Sequence, residues 1–146
     1  MEKASVKEIL NGHDDTKYIT PRGAGKIVEA GSNEKGTWVK YANGVMVCSG
    51  KTRLSAADSV FDKAYGSVYY NGKYTSWDFP QLFKEAPIVT ATAYFQGGLG
   101  GYCIASEPNT KGVAGYLYYF TSYDFGVGGT VSGRAGANFK AVGWWK

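Results

Sequence analysis

Hydrophobic and polar residues alternate in short runs over most of the chain after Gly36, which is the pattern of half-buried β-strands. The runs are rich in β-branched and aromatic residues, and glycines lie between them. They predict strands over residues 38–42, 45–48, 68–70, 73–75, 88–95, 102–105, 115–121, 126–131 and 139–145. Strands this short, with no helices between them, favour an antiparallel β-sandwich or barrel over a parallel α/β sheet. We therefore expect an all-β fold.

Two Asn-Gly pairs predict the tight turns of β-hairpins, because both residues tolerate the positive φ of a type I′ turn. Asn43-Gly44 separates two predicted strands, and so does Asn71-Gly72. The glycine clusters at 97–101 and 126–129 predict further turns or bulges. Residues 51–63 are polar and include alanines, so we expect a loop or a single helical turn there.

The first 36 residues differ in character from the rest of the chain. They hold six cationic and six anionic side chains, and Tyr18 is their only aromatic residue. We therefore divide the chain into a leader, residues 1–36, and a β-domain, residues 37–146. Hydrophobic spacing predicts a short helix over Ala4–Leu10, and Thr20-Pro21 predicts the start of a second one that ends at Gly31. Helices this short are marginal alone, so the leader either docks on other copies or forms a frayed polar tail.

Composition and charge narrow the classes of partner. The 21 glycines and the 16% of aromatic residues both stand out, and a net charge of +4 with a pI near 9.0 is compatible with a nucleic-acid stacking platform. The cations, however, are scattered singly and form no basic stripe, so we expect no nucleic-acid partner. No apolar run approaches the ~18 residues of a membrane span, and the N-terminus has no signal-peptide core. We expect no membrane insertion.

Candidate catalytic residues are few. His13 is the only histidine and lies in the leader, which disfavours nucleophilic hydrolysis with a histidine base. Cys48 and Cys103 lack C-x-x-C spacing and predict free thiols, not a zinc site or a disulfide. The glycine clusters lack the residues of a nucleotide-binding loop. Of the six carboxylates after residue 36, Asp58 and Asp62 are four residues apart but are more typical of a solvated loop, and sequence alone does not place any two at the roughly 5–9 Å that a glycosidase needs. We expect no enzymatic activity, no cofactor and no metal.

A recognition surface suits the composition better, because tyrosine offers a rigid surface with a hydroxyl group while glycine and serine form adaptable loops. These residues concentrate in the stretch 116–138. Alternate residues of 116–120 should face the core, since side chains of a strand point to opposite faces. We predict that a receptor or sugar is bound by the following residues: Tyr119, Tyr123, Asp124, Arg134 and Asn138. The tyrosine rings would stack on a sugar, and the polar groups would bond its hydroxyls.

The leader contains a Gly-x-Asp-x-x-Lys-x-x-Thr-Pro pattern, in which Gly12, Asp14, Lys17, Thr20 and Pro21 fall in place. With this pattern it resembles the short repeat-type segment that precedes the C-terminal receptor-binding tip of phage and prophage tail fibres, in the group with an H-type-lectin-like tip. The stretch 33–48 is similar to the opening hairpin of that tip, with its aromatic strand, Asn-Gly turn and cysteine.

Two further stretches resemble the same tail-fibre family. Trp77-Asp-Phe-Pro80 and Ala86-Pro-Ile-Val-Thr-Ala-Thr92 are similar to its central passage, and Phe139-Lys-Ala-Val-Gly-Trp-Trp-Lys146 looks like its closing strand. The resemblance implies a lectin-like β-sandwich, a homotrimer at the distal end of a virion tail fibre made in the host cytoplasm, and a fibre shaft upstream of this chain. It also implies binding of a bacterial surface glycan or outer-surface protein without catalysis.

Two other functions stay open at this point. A fibre-borne polysaccharide depolymerase would release reducing ends from the host polysaccharide, but such enzymes usually carry larger catalytic domains. A purely structural trimerisation cap would form trimers without binding any cell surface.

Overall fold

The computed structural model describes residues 3–5, 7–8, 25–54, 61, 63–96, 99–121 and 135–146. The described chain forms nine β-strands: β1 (Ile27–Asn33), β2 (Gly36–Tyr41), β3 (Val45–Arg53), β4 (Lys63–Tyr65), β5 (Val68–Asp78), β6 (Ile88–Phe95), β7 (Leu99–Ala105), β8 (Gly112–Thr121) and β9 (Ala135–Trp144). None of the described segments forms a helix with the length and hydropathy of a membrane span.

The strands form two antiparallel sheets. The five-stranded sheet has the order β1-β2-β3-β9-β6, and the four-stranded sheet has the order β4-β5-β8-β7. The last strand, β9, lies inside the first sheet, where it pairs with β3 on one side and β6 on the other. The predicted all-β antiparallel sandwich is confirmed.

The first predicted hairpin forms, but its turn is longer than the predicted type I′ pair. The Gly44 amide donates to the Tyr41 carbonyl at 3.0 Å, so Ala42 and Asn43 are the central residues of the turn. Gly44 adopts a φ of 93°, which favours glycine, and the Val45 amide donates to the Asn43 side-chain oxygen at 3.1 Å. β2 and β3 then pair with Trp38 opposite Cys48. The strand predicted over 88–95 also has the bounds of β6.

The second predicted hairpin, at Asn71-Gly72, is wrong. Both residues lie within β5, which pairs without interruption with β8 from Tyr69 opposite Thr121 to Asp78 opposite Gly112. The ladder of hydrogen bonds along this register outweighs the local turn preference of the two residues. The turn lies earlier instead, where Gly66 has a φ of 60° and Tyr65 pairs with Val68.

The end of the predicted leader belongs to the five-stranded sheet. β1 pairs with β2, so the helix predicted to end at Gly31 is wrong. A Cβ on Gly31 would overlap the Trp38 indole, which lies across this glycine and holds the two strands together. The Glu29 carboxylate accepts hydrogen bonds from the Lys40 ammonium at 3.0 Å and from Trp38 Nε1 at 2.8 Å, and these bonds lower the pKa of Glu29.

Little of the leader before β1 is described. Lys7 and Glu8 are helical, and Ser5 and Glu8 form a capping box in which each side chain accepts from the other's amide. The remainder of the predicted first helix, and His13, lie outside the described residues. Most of the stretch 51–63, predicted as a loop or a helical turn, also lies outside the described residues. Its first three residues belong to β3, and Lys63 begins β4.

The main core lies between the sheets around Trp77, which is 3% exposed. Its ring stacks on Phe139 with centroids 5.6 Å apart and meets Phe79 edge to face at 5.0 Å. Gly50 leaves the space for this indole, since a Cβ there would overlap it. Trp77 thus joins the two sheets, because Gly50 and Phe139 belong to the five-stranded sheet.

Both cysteines are free thiols, as predicted. Cys48 is fully buried in the main core, and burial raises the pKa of its thiol from 9.0 to about 11. Below pH 9.0 the thiol is protonated in both the folded and the unfolded chain. Above it the unfolded thiol ionises first, so its ionisation favours unfolding.

We therefore expect the free energy of unfolding to fall as the pH rises from 9.0 to about 11. Urea unfolding at intervals across this range measures the slope. The matched variant Cys48→Ala should show a shallower slope, because the other alkaline groups titrate in both proteins. Equal slopes for the two proteins would contradict a buried thiol at Cys48.

Candidate functional site

The outer face of the four-stranded sheet carries exposed aromatic rings. Along β8 the burial alternates, with Leu117 and Tyr119 buried and Tyr116, Tyr118 and Phe120 exposed by 48%, 36% and 46%. This alternation follows from the pleat of a strand, which sends successive side chains to opposite faces. β8 thus presents three rings in a row to solvent.

The neighbouring strands extend this row sideways. Tyr74 of β5 lies opposite Tyr116, with ring centroids 5.6 Å apart, and Tyr102 of β7 lies opposite Tyr118, with centroids 5.2 Å apart. We call the following set the aromatic face: Tyr65, Tyr70, Tyr74, Tyr102, Ile104, Tyr116, Tyr118 and Phe120. An exposed apolar patch of this extent on a folded domain marks an interaction site.

Two glycines let rings of the aromatic face lie flat. Gly72 is opposite Tyr118, and a Cβ there would lie 2.8 Å from carbons of the Tyr118 ring. Gly100 is opposite Phe120 in the same way, again with 2.8 Å between an added Cβ and the ring. Each ring therefore lies over the backbone of a glycine and stays partly exposed to solvent.

A Gly72→Ala substitution tests whether this flat orientation matters. The added methyl group would displace the Tyr118 ring, whose rigid carbons it would meet at 2.8 Å, while alanine is compatible with the strand. We expect weaker ligand binding with little change in thermal stability. In a double-mutant cycle, adding Gly72→Ala to Tyr118→Ala should cause no further loss of binding affinity, because both substitutions act through the Tyr118 ring. Additive losses would show that Gly72 acts by another route.

A cleft of about 500 Å³ opens at the end of the aromatic face nearest β4. Its described lining is mostly aromatic, with Asn71 as a polar contributor: Tyr65, Val68, Tyr70, Asn71, Tyr102, Tyr118, Tyr119 and Phe120. The Lys63 ammonium stands 5.7 Å from the centroid of the Tyr70 ring at its border. A mostly apolar cleft with few polar groups is the usual form of a small-ligand site.

The structure separates the residues that the sequence predicted as a site. Tyr119 is 1% exposed and packs edge to face on Phe61 at 5.4 Å, so its side chain belongs to the core, although the residue also lines the cleft beside β4. Asn138 is exposed, but it lies on β9 in the other sheet. Tyr123, Asp124 and Arg134 lie outside the described residues, as does the strand predicted over 126–131.

The aromatic face was missed although the sequence contains a signal for it. In β8 the aliphatic residues Val113 and Leu117 have odd numbers, and both are buried. Extending that parity along the strand places Tyr119 inside and leaves Tyr116, Tyr118 and Phe120 outside. The sequence does not reveal which strands flank β8, so the rings of β5 and β7 could not have been added.

Within the described ranges, no three His, Cys, Asp or Glu side chains converge as metal ligands would. The rings offer stacking surfaces and phenolic hydroxyls to a ligand.

Comparison with known proteins gives one structural similarity to report. No protein-family model matches the chain, and no curated protein matches it. Among solved structures, an N-truncated R2-type pyocin tail fibre is similar over 87% of this chain, with 16% sequence identity and a TM-score of 0.42. The similar region is 44% of that fibre chain, so this chain spans less than half of its length.

Proposed function

We propose that this chain is the receptor-binding tip of a phage tail fibre and that its aromatic face binds a glycan on the bacterial surface. The observation that carries the proposal is the set of exposed rings, two of which lie flat over Gly72 and Gly100. The tail-fibre motifs of the leader, the opening hairpin and the closing strand support the same function.

The chemistry of the aromatic face suits a sugar. The face of an aromatic ring carries partial negative charge, which attracts the weakly positive C–H groups on the apolar side of a pyranose. The phenolic hydroxyls at the ring edges can bond the sugar's hydroxyls. Tyrosine loses little conformational entropy on binding because its side chain has only two χ angles. The eight residues of the aromatic face carry no charge, so this face suits the uncharged sugar units of a glycan.

A homotrimer completes the proposal. A single sugar site of this kind is weak, and linking three tips in one fibre raises the overall affinity through effective concentration. The leader, joined to a fibre shaft upstream, would hold the copies together at the distal end of the virion's tail fibre. In this assembly the tip binds its receptor and catalyses no reaction.

Binding of the labelled protein to a panel of bacterial strains and purified surface polysaccharides tests the function. We expect the protein to bind at least one strain and the polysaccharide purified from it. Light scattering of the free protein should give a mass near three times 15.8 kDa. A monomer would contradict the proposed assembly. Release of reducing ends from the bound polysaccharide would identify a depolymerase instead. Trimers that bind no strain would identify a structural cap.

A further inference from the structure

The outer face of the five-stranded sheet has a basic half that the proposed glycan site does not use. Three rows of cross-strand partners on β3, β9 and β6 form what we call the basic grid: Ser49, Lys140 and Thr90; Lys51, Asn138 and Thr92; Arg53, Gly136 and Tyr94. Lys51, Arg53 and Lys140 are exposed, and none of the nine residues is acidic. The grid therefore concentrates positive charge on one small surface.

Among the described residues, no acidic side chain forms an ion pair with these three cations. Lys51 and Arg53 lie two residues apart on one face of β3, and Lys140 is diagonal to Lys51 on the adjacent strand, so the three cations repel one another. Within the described part of the chain, the two ion pairs lie elsewhere, between Lys35 and Asp78 and between Lys40 and Glu29. An anion bound from outside would relieve this repulsion.

Arg53 is held in place by an aromatic ring. Its guanidinium carbon lies 5.3 Å from the centroid of the Tyr94 ring, and Tyr94 lies across Gly136, where a Cβ would overlap it. A guanidinium stacked in this way keeps the N–H groups at its edge available for a carboxylate or a phosphate. The side chain is thus ordered before a ligand arrives, which lowers the entropy cost of binding.

The grid borders a cleft that gives it depth. The cleft has a volume of about 350 Å³, and its described lining joins Lys51 and Asn138 to the β1–β2 turn: Asn33, Glu34, Lys35, Gly36, Gly50, Lys51 and Asn138. Glu34 is the single acidic group in that lining, on the exposed turn. The Asn138 amide and the hydroxyls of Thr90 and Thr92 can bond the hydroxyls of a sugar, while the cations pair with its acidic group.

We propose that the basic grid binds the carboxylate or phosphate groups of an acidic surface polysaccharide. This inference rests on the proposed function and deepens it. The receptor is an acidic glycan that contacts both the aromatic face and the basic grid. Charge complementarity selects an anion, and the neutral hydrogen-bonding groups beside the cations suit a sugar.

The test uses polygalacturonate, a linear polyuronic acid, as the probe and dextran as its neutral counterpart. At about 20 mM salt, where screening is weak, we expect wild-type protein to bind polygalacturonate and not dextran at this face. The double variant Lys51→Gln/Lys140→Gln should lose about tenfold in affinity, because two solvent-exposed ion pairs are removed. The control Lys84→Gln/Lys111→Gln changes the net charge equally at exposed loop positions and should bind nearly as wild type.

Three results would overturn the proposal. The first is no binding of polygalacturonate by the wild type. The second is an equal loss in both double variants, which would reflect net charge alone. The third is tighter binding of a dT20 oligonucleotide with the same dependence on Lys51 and Lys140, which would make the grid a nucleic-acid site. A Tyr116→Ala/Tyr118→Ala variant distinguishes this proposal from the proposed function of the aromatic face. It should still bind polygalacturonate through the grid but should no longer bind the bacterial strain.

Discussion

Replacing Tyr116 and Tyr118 together by alanine should abolish most of the binding to the bacterial surface while the fold is kept. Both side chains are exposed by a third or more, their rings are 6.1 Å apart, and each also contacts a ring on a neighbouring strand. A stacking contact of about 1 kcal/mol per ring makes the expected loss roughly 30-fold for one site. Multivalent binding of a trimer would enlarge this loss on cells. Titration with the purified polysaccharide of a bound strain measures it.

Two controls make this result specific. Leu82→Ala removes a large exposed apolar side chain outside the aromatic face and should leave binding unchanged. Tyr116→Phe/Tyr118→Phe keeps the rings and removes the hydroxyls, so it should retain most of the affinity if stacking dominates. A phenylalanine variant as weak as the alanine variant would show that the hydroxyls carry the interaction. An alanine variant with wild-type affinity would show that the receptor binds elsewhere.

Replacing Trp77 by alanine should have the largest effect on stability. The indole is 3% exposed, lies in the main core on Phe139 and Phe79, and donates from Nε1 to the Lys35 carbonyl at 2.7 Å. Loss of a buried tryptophan costs about 3–5 kcal/mol through lost burial and the cavity left behind. Domains of this size are stable by about 5–15 kcal/mol, so the variant should lose a large share of its stability. Urea denaturation followed by circular dichroism measures the change.

The exposed Trp144 provides the matched control for this substitution. It is 50% exposed, and Trp144→Ala should change the free energy of unfolding by under about 1 kcal/mol. Trp77→Phe would keep much of the ring packing and leave the Lys35 carbonyl without its donor, so it should lie between the wild type and Trp77→Ala. Similar losses for Trp77→Ala and Trp144→Ala would contradict the central position of Trp77 in the core.

Sequence patterns predicted the fold class well because alternating hydrophobic and polar residues show which side chains of a strand are buried. The run 88–95 and the turn at Asn43-Gly44 needed only local information. Asn71-Gly72 carries the same local signal, yet it lies inside β5, because its partners on β8 are some fifty residues away and cannot be read from the pair itself. β1 was missed for a similar reason, since the Trp38 ring over Gly31 stabilises it from another strand.

The candidate site was less predictable than the fold. Tyrosine content points to β8, but the parity set by the buried Leu117 places Tyr119 inside and leaves Tyr116 and Tyr118 exposed. Asn138 was selected as a neighbour of this region in sequence, and it lies instead in the basic grid beside Lys51. Each outer surface of a sandwich combines residues from strands that are distant in sequence. Which residues share a surface therefore depends on the order of the strands in the sheet, and the alternation pattern does not predict that order.

The receptor site can be located most directly by NMR of ring-labelled tyrosine during titration with the polysaccharide of a bound strain. The account predicts that resonances of Tyr74, Tyr102, Tyr116 and Tyr118 shift or broaden, because these rings share the exposed face. The resonance of Tyr41, on β2 in the other sheet, should stay in place. A polysaccharide that binds while all four of the exposed rings remain unperturbed would contradict the aromatic face as the receptor-binding surface.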